Sequence, residues 1–200
     1  REELVSYPDK KRKGAIVRKT LGQLVQKRAI SPKQGALLFK IVNYFKPVHI
    51  LQIGTNMGLS TLYLTSYASG LQCIALESNP AFASVARETF KQARNPIDLR
   101  EGDYTDLLPK ALEDMEAVDF VYFNMQDDDI CCSSLFNKCV EQTHQNSVFV
   151  FKGIKSSSKM RIAWKEICSH PKVTVTMDLY ALGIVFFNDK LHKRNYITYY

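Results

Sequence analysis

No apolar run in this 200-residue chain approaches the ~20 residues that a bilayer-spanning helix needs. That shortage removes helical membrane spans from the reading. No signal peptide is visible. The chain opens on Arg1 rather than Met, so an upstream targeting segment stays open. The five cysteines are an odd number with no CxxC…CxxC spacing, which argues against a structural zinc site. Reduced thiols and a cytoplasmic location are the expectation, with a redox role for adjacent Cys131 and Cys132 as the alternative. The G-x-G-x-x-G dinucleotide fingerprint is missing, and so is any internal repeat, linker or low-complexity tract.

Charge is not lacking. The net charge is +7, and much of the excess sits early, in Lys10–Lys13, Arg18, Lys19, Lys27 and Arg28. Such a cluster can attract anionic substrates or nucleic-acid phosphates, but no nucleic-acid-binding motif accompanies it. A solvated N-terminal arm is the expectation, nucleic-acid binding is not, and a homodimer is left open.

What the chain has in quantity is alternation. Residues 1–30 read as one short helix around Lys19–Lys27. Ser31-Pro32 then opens a helix as N-cap and first helical residue, and Pro47 follows its end. Beyond it, strands over His49–Thr55, Gln72–Ser78, Ile97–Gly102, Asp119–Asn124 and Ser147–Phe151 alternate with helices over Leu59–Tyr67, Pro80–Arg94, Asp106–Glu113, Cys131–Thr143 and Lys159–Ser169. Val173–Tyr180 and Ile184–Asn188 are joined by only Ala-Leu-Gly, which predicts an antiparallel hairpin. The expected fold is therefore α/β: three layers, about seven strands, mostly parallel, with a C-terminal antiparallel hairpin.

The informative stretch is HILQIGTNMG at 49–58, a buried strand running into a glycine turn and a helix start. In open α/β sheets that junction is where ligands meet the carboxyl ends of the strands. Gly54 and Gly58 allow close backbone approach. Glu77 ends the next strand, ~20 residues past the turn, where a carboxylate suits ribose hydroxyls. Gly102-Asp103 and Asn124 end the third and fourth strands. The loop reads G-x-x-x-G, which fits a nucleoside ligand without a bridging pyrophosphate.

These segments carry a resemblance. ILQIGTNMGLSTLYL, CIALESNP, REGDYTDLLPKAL, DFVYFN, VTVTMDLYALGIVFF and the helix SPKQGALLFKIVNYFKP resemble a class I S-adenosylmethionine-dependent methyltransferase. The branch is that of the small O-methyltransferases related to catechol O-methyltransferase. The resemblance implies a three-layer Rossmann-like methyltransferase domain over 47–200, with a basic helical segment, 1–46, packed on it. It implies a small-molecule acceptor and S-adenosylhomocysteine as product. It places Gly54 and Gly58 under the methionine part of the cofactor, Thr55 and Ser60 near its carboxylate, and Glu77 on the ribose. Asp103 and Tyr104 would lie by the adenine, and Asn124 near the sulfonium and the acceptor.

Departures from that family pattern matter as much. Such enzymes carry an acid two residues before the first glycine, where this chain has Gln52. Metal-dependent members place acidic ligands after the fourth and fifth strands, where this chain has Asn124 and Phe151-Lys152-Gly153. An ammonium there repels a hard divalent cation, so metal-independent chemistry is expected. Two catalytic candidates follow: Lys152, as base or as clamp for an anionic acceptor, and Asp127, as base. Asp127–Asp129 also reads as substitute ligands or as an acidic cluster at a helix start. The rival to an enzyme is a degenerate relative that keeps the fold as a binding module.

Overall fold

The computed structural model describes residues 4–8, 16–125 and 132–199. The chain begins with an antiparallel hairpin, β1 (Leu4–Pro8) and β2 (Ile16–Thr20), in register from Leu4↔Thr20 to Pro8↔Ile16. The sequence reading had no hairpin here. Its Lys10–Lys13 run lies outside the described residues. Helix α1 (Leu21–Arg28) follows directly. It starts where Thr20 and Gln23 cap each other: Gln23 N donates to Thr20 Oγ1 at 3.2 Å and Thr20 N to Gln23 Oε1 at 3.1 Å. This reciprocal box satisfies two donors that the first helical turn leaves open.

Helix α2 (Pro32–Phe45) is capped by Ser31, whose side chain accepts from Gln34 N at 3.2 Å, and it ends on Lys46 in the left-handed region. The alternating body then runs β3 (His49–Ile53), α3 (Leu59–Thr65), β4 (Gln72–Glu77), α4 (Pro80–Phe90), β5 (Asp98–Glu101), α5 (Tyr104–Glu113) and β6 (Phe120–Phe123). It continues through α6 (Cys132–Val140), β7 (Val148–Lys152), α7 (Ser158–Ser169), β8 (Val175–Asp178), β9 (Leu182–Phe186) and β10 (Arg194–Ile197). Element ends move by a few residues from the expected ones, as hydrogen-bonded boundaries do.

The strand order is β10-β8-β9-β7-β6-β3-β4-β5. Strand β9 pairs antiparallel with both β7 and β8, and every other pairing is parallel. The expected hairpin is thus present, but the sheet has eight strands rather than about seven. The extra strand, β10, is exposed at all four positions, so it carries no apolar alternation to reveal it. Hydrogen bonds to its neighbour define it, including Arg194 N to Thr174 O and Thr198 N to Asp178 O, both at 2.9 Å.

Strand residues alternate between two cores. Leu51, Ile53, Val121, Phe123, Phe149 and Phe151 face α5, α6 and α7. Ile50, Phe120, Tyr122, Val148 and Val150 face α2 and α3. A run that is apolar at every position is what a parallel strand covered on both faces requires.

At the amino ends of the strands one carboxylate ties three segments together. Asp119, just before β6, accepts from the N–H groups of Val48 and His49 at 2.7 and 2.8 Å. Its other oxygen meets His144 Nε2 at 2.8 Å. Burial pushes its carboxyl up, but the bonds from His49, His144 and Val48 outweigh this and hold it below the ordinary value. Asp119→Ala is expected to lower unfolding free energy by about 2 kcal/mol, read from a urea midpoint. A carboxyl depressed in the folded state contributes stability above its unfolded value of ~3.9 and loses it as pH falls through the folded one. Wild-type stability should therefore drop on that acid limb, and the variant should lack the drop.

Candidate functional site

Strand β3 ends at Ile53 and the chain turns sharply. Gly54 has φ +86°, and its N–H donates to Leu76 O at 3.0 Å. A Cβ on Gly54 would lie 2.7 Å from the Asn124 carbonyl oxygen, so only glycine fits where the loop crosses the end of β6. Asn56 takes the left-handed region at φ 51°, which asparagine tolerates. Its N–H donates to Glu77 Oε2 at 2.6 Å, and its Nδ2 to Asn124 O at 3.1 Å. Gly58, at φ +83°, leads into α3, and a Cβ there would meet the Phe90 ring at 2.7 Å.

Two side chains brace this loop. Glu77 is buried; one oxygen takes the Asn56 N–H and the other the Asn79 N–H at 2.9 Å. Gln52 is fully buried beneath the loop. Its Nε2 donates to Gly54 O at 3.2 Å and Ser60 Oγ at 2.9 Å, and its Oε1 accepts from Thr61 Oγ1 at 2.8 Å. The amide thus connects β3, the glycine turn and α3, with both its donor and acceptor ends used.

The strand ends bring further groups to one face. Asn124 follows Phe123, and Lys152 follows Phe151, its register partner on β7. Period-two alternation therefore sets Asn124 and Lys152 side by side on the α2–α3 face, the face that also holds Gln52. Asn124 is buried, its Nδ2 lies 3.5 Å from Ser60 Oγ, and its Oδ1 has no hydrogen-bond partner. Ser60 Oγ accepts from both amides, which leaves its hydroxyl proton to donate elsewhere. Lys152 is half-buried, and burial lowers its pKa. Its ammonium donates to the Arg28 carbonyl at 3.4 Å, and among the described residues no carboxylate pairs with it.

The N-terminal segment closes the place where these groups meet. Arg28, Ala29 and Ile30 line a cavity with Thr55, Asn56, Ser60 and Asn124, and the space left is about 10 Å³, room for one water. The Arg28 guanidinium lies over the rings of Tyr7 and Phe82, at 5.5 and 4.7 Å. Beside it Val5 and Leu24 pack with Met57 of the glycine loop and with Phe82, in a cluster separate from the two sheet cores.

Of the residues singled out in the sequence, Gly54, Gly58, Ser60, Glu77, Asn124 and Lys152 gather at this end of the sheet. Thr55 is there too, but both its N–H and its hydroxyl donate to Leu76 O, at 3.0 and 3.1 Å, so it has no proton left for a ligand. Tyr104 is buried in the α5–α6–α7 core, because it opens α5 on the helix face that packs on the sheet. Asp103 caps α5, accepting from Thr105 N at 2.7 Å and Thr105 Oγ1 at 2.6 Å. Asp127–Asp129 lies outside the described residues. Sequence reasoning missed Arg28–Ile30, which carry no motif, and Asn56, whose placement between two glycines was its only signal.

No group of three or more His, Cys, Asp or Glu converges on a metal position among the described residues. Lys152, where an acidic ligand would be expected, opposes a hard divalent cation, and Asn124 offers it one neutral oxygen.

The O-methyltransferase family model matches residues 3–157. Catechol O-methyltransferase B of Danio rerio is 29% identical over 100 residues, which is 48% of this chain and 38% of that protein. Catechol O-methyltransferase of Niastella koreensis is 29% identical over 89 residues, 43% of this chain and 40% of the relative. The chain thus spans about two fifths of the curated relatives it matches. Among solved structures, the O-methyltransferase from Bacillus cereus in complex with SAH is similar, with a TM-score of 0.67, 20% identity, and coverage of 83% of this chain and 90% of that one. TomG from Streptomyces achromogenes, in complex with SAM, has a TM-score of 0.69 at 18% identity, covering 83% and 86%. At these identities the structures show the fold alone.

The bonds around Gln52 make one substitution informative. Gln52→Glu restores the acid that the resemblance expects, yet it removes both Nε2 donors and turns a buried carboxylate toward the Gly54 carbonyl. It should lower unfolding free energy by about 2–4 kcal/mol in urea titration. Equal stability would show that the amide does not brace the loop.

Proposed function

The chain belongs to the O-methyltransferase family, and from that premise we propose that it transfers a methyl group from S-adenosylmethionine to an oxygen of a small-molecule acceptor. The observation that carries this reading is the polar set at the strand ends: the orphaned Asn124 Oδ1, the Ser60 hydroxyl with its proton to give, and the Glu77 carboxylate bracing the glycine turn. When bound, the sulfonium donor supplies an electrophilic methyl carbon. The chain's own residues supply alignment. The Gly54–Gly58 turn lies under the amino-acid part, and Ser60 donates to its carboxylate. Glu77 receives the ribose hydroxyls, Asp103 borders the adenine, and Asn124 lines the reacting end. Lys152 stands at that end as well, as a group that can hold charge or take a proton.

The cavity beside Ser60 and Asn124 is about 10 Å³ and admits no ligand group there while Arg28–Ile30 stay in place. Filling that end therefore requires the segment to withdraw, which loosens the small cluster of Val5, Leu24, Met57 and Phe82 and the packing of Ile30 in the α2–α3 core. The same closed cavity supports a second reading, a family member that keeps the fold as an interaction module.

Isothermal titration separates the two. S-adenosylhomocysteine is expected to bind at about micromolar Kd, and Ser60→Ala should weaken it roughly tenfold by removing a hydrogen bond to a charged group. No binding at millimolar ligand would leave the interaction module as the reading.

A further inference from the structure

A half-buried ammonium with no counter-ion opposes folding, because its desolvation is not repaid by a partner. Among the described residues Lys152 is in that position. Its one described partner is the neutral carbonyl of Arg28, at 3.4 Å. On the adjoining strand end, Asn124 Oδ1 is buried without a donor. One group lacks an anion and its neighbour lacks a hydrogen-bond donor, and they stand on the same face of β6 and β7.

We propose that this pair selects the acceptor, a hydroxyaryl carboxylate whose anion ion-pairs with Lys152 Nζ while its hydroxyl donates to Asn124 Oδ1. The proposal rests on the methyl-transfer reading and names the substrate class of the same site. An acid meets both unfilled valences at once, and the anion takes the place of the Arg28 carbonyl. Neither a neutral phenol nor an acid without the hydroxyl does both. The aryl ring holds the hydroxyl and the carboxylate at a fixed separation, as two groups standing on adjoining strand ends require. In the transfer, the hydroxyl oxygen bonds to the methyl carbon, and the carbon–sulfur bond breaks with its electron pair going to sulfur. The hydroxyl proton, presented to Asn124 Oδ1 in the bound acceptor, is released to water as the oxygen is alkylated. The net charge of +7 favours the approach of such an anion.

The test uses the full chain saturated with S-adenosylhomocysteine and titrated calorimetrically with salicylate and with its neutral amide, salicylamide. Salicylate should bind at least about tenfold more tightly. Lys152→Met should weaken salicylate about 30-fold or more while leaving salicylamide and S-adenosylhomocysteine unchanged, and Lys152→Arg should keep most of the salicylate affinity. The Met variant should melt no lower than the wild type, since it removes an uncompensated charge. Equal binding of the two probes, binding of neither, or an unchanged salicylate affinity in the Met variant overturns the proposal. So does a lower melting temperature of that variant, which marks Lys152 as a strut for the Arg28 carbonyl. Failure of S-adenosylhomocysteine itself to bind is a separate result, and it removes the methyl-transfer reading before any acid is added.

Discussion

A backbone that turns sharply at the end of a buried strand carries N–H and C=O groups that water cannot reach, and each must find a partner. Here the Gly54–Gly58 turn solves this with groups from three strands. The carbonyl of Leu76 on β4 receives Gly54 N, Thr55 N and Thr55 Oγ1. Glu77, at the end of the same strand, receives Asn56 N. Gln52 on β3 donates back to Gly54 O, and Asn56 Nδ2 reaches across to the Asn124 carbonyl after β6. The turn is therefore fixed by the order β6-β3-β4 in the sheet. A loop held on three sides is preorganised for whatever lies on it, because little conformational freedom remains to be lost on binding.

The sheet distributes its ionisable groups unevenly along the strands. At the amino ends, Asp119 is surrounded by donors, two backbone N–H groups and the His144 ring, and serves stability. At the carboxyl ends, Lys152 is half-buried with a neutral carbonyl as its partner. The first arrangement lowers the energy of the folded chain and the second raises it. A strained electrostatic position that persists beside a preorganised loop is the pattern expected where stability is traded for binding.

The N-terminal segment adds a conformational term. The Arg28 side chain lies over two adjacent aromatic rings and its carbonyl meets Lys152, so the cover and a cation with no carboxylate partner among the described residues are parts of one contact. The cover is fastened partly by a small cluster distinct from the two cores that sandwich the sheet, and partly by Ile30, which belongs to the α2–α3 core. Segments held by few buried apolar contacts open at lower cost than the core does.

The layered α/β body is legible in residue order alone, because strands buried on both faces must be apolar at every position and the helices between them must show a 3.6-residue stripe. Residue order also sets the glycine turn and the positions of Glu77, Asn124 and Lys152, since residues just past an apolar run fall at strand ends whatever the tertiary detail. How those residues are used follows from contacts made across the fold. The fold turned the Thr55 hydroxyl to Leu76, buried Tyr104 in the core and made Gln52 a brace rather than a missing charge. It paired β10 with β8 through backbone bonds that leave no hydrophobic trace, and it laid Arg28 over Phe82. Each of these depends on a partner distant in the chain, and hydrogen-bond pairing and burial between distant segments have no local periodicity from which they could be read.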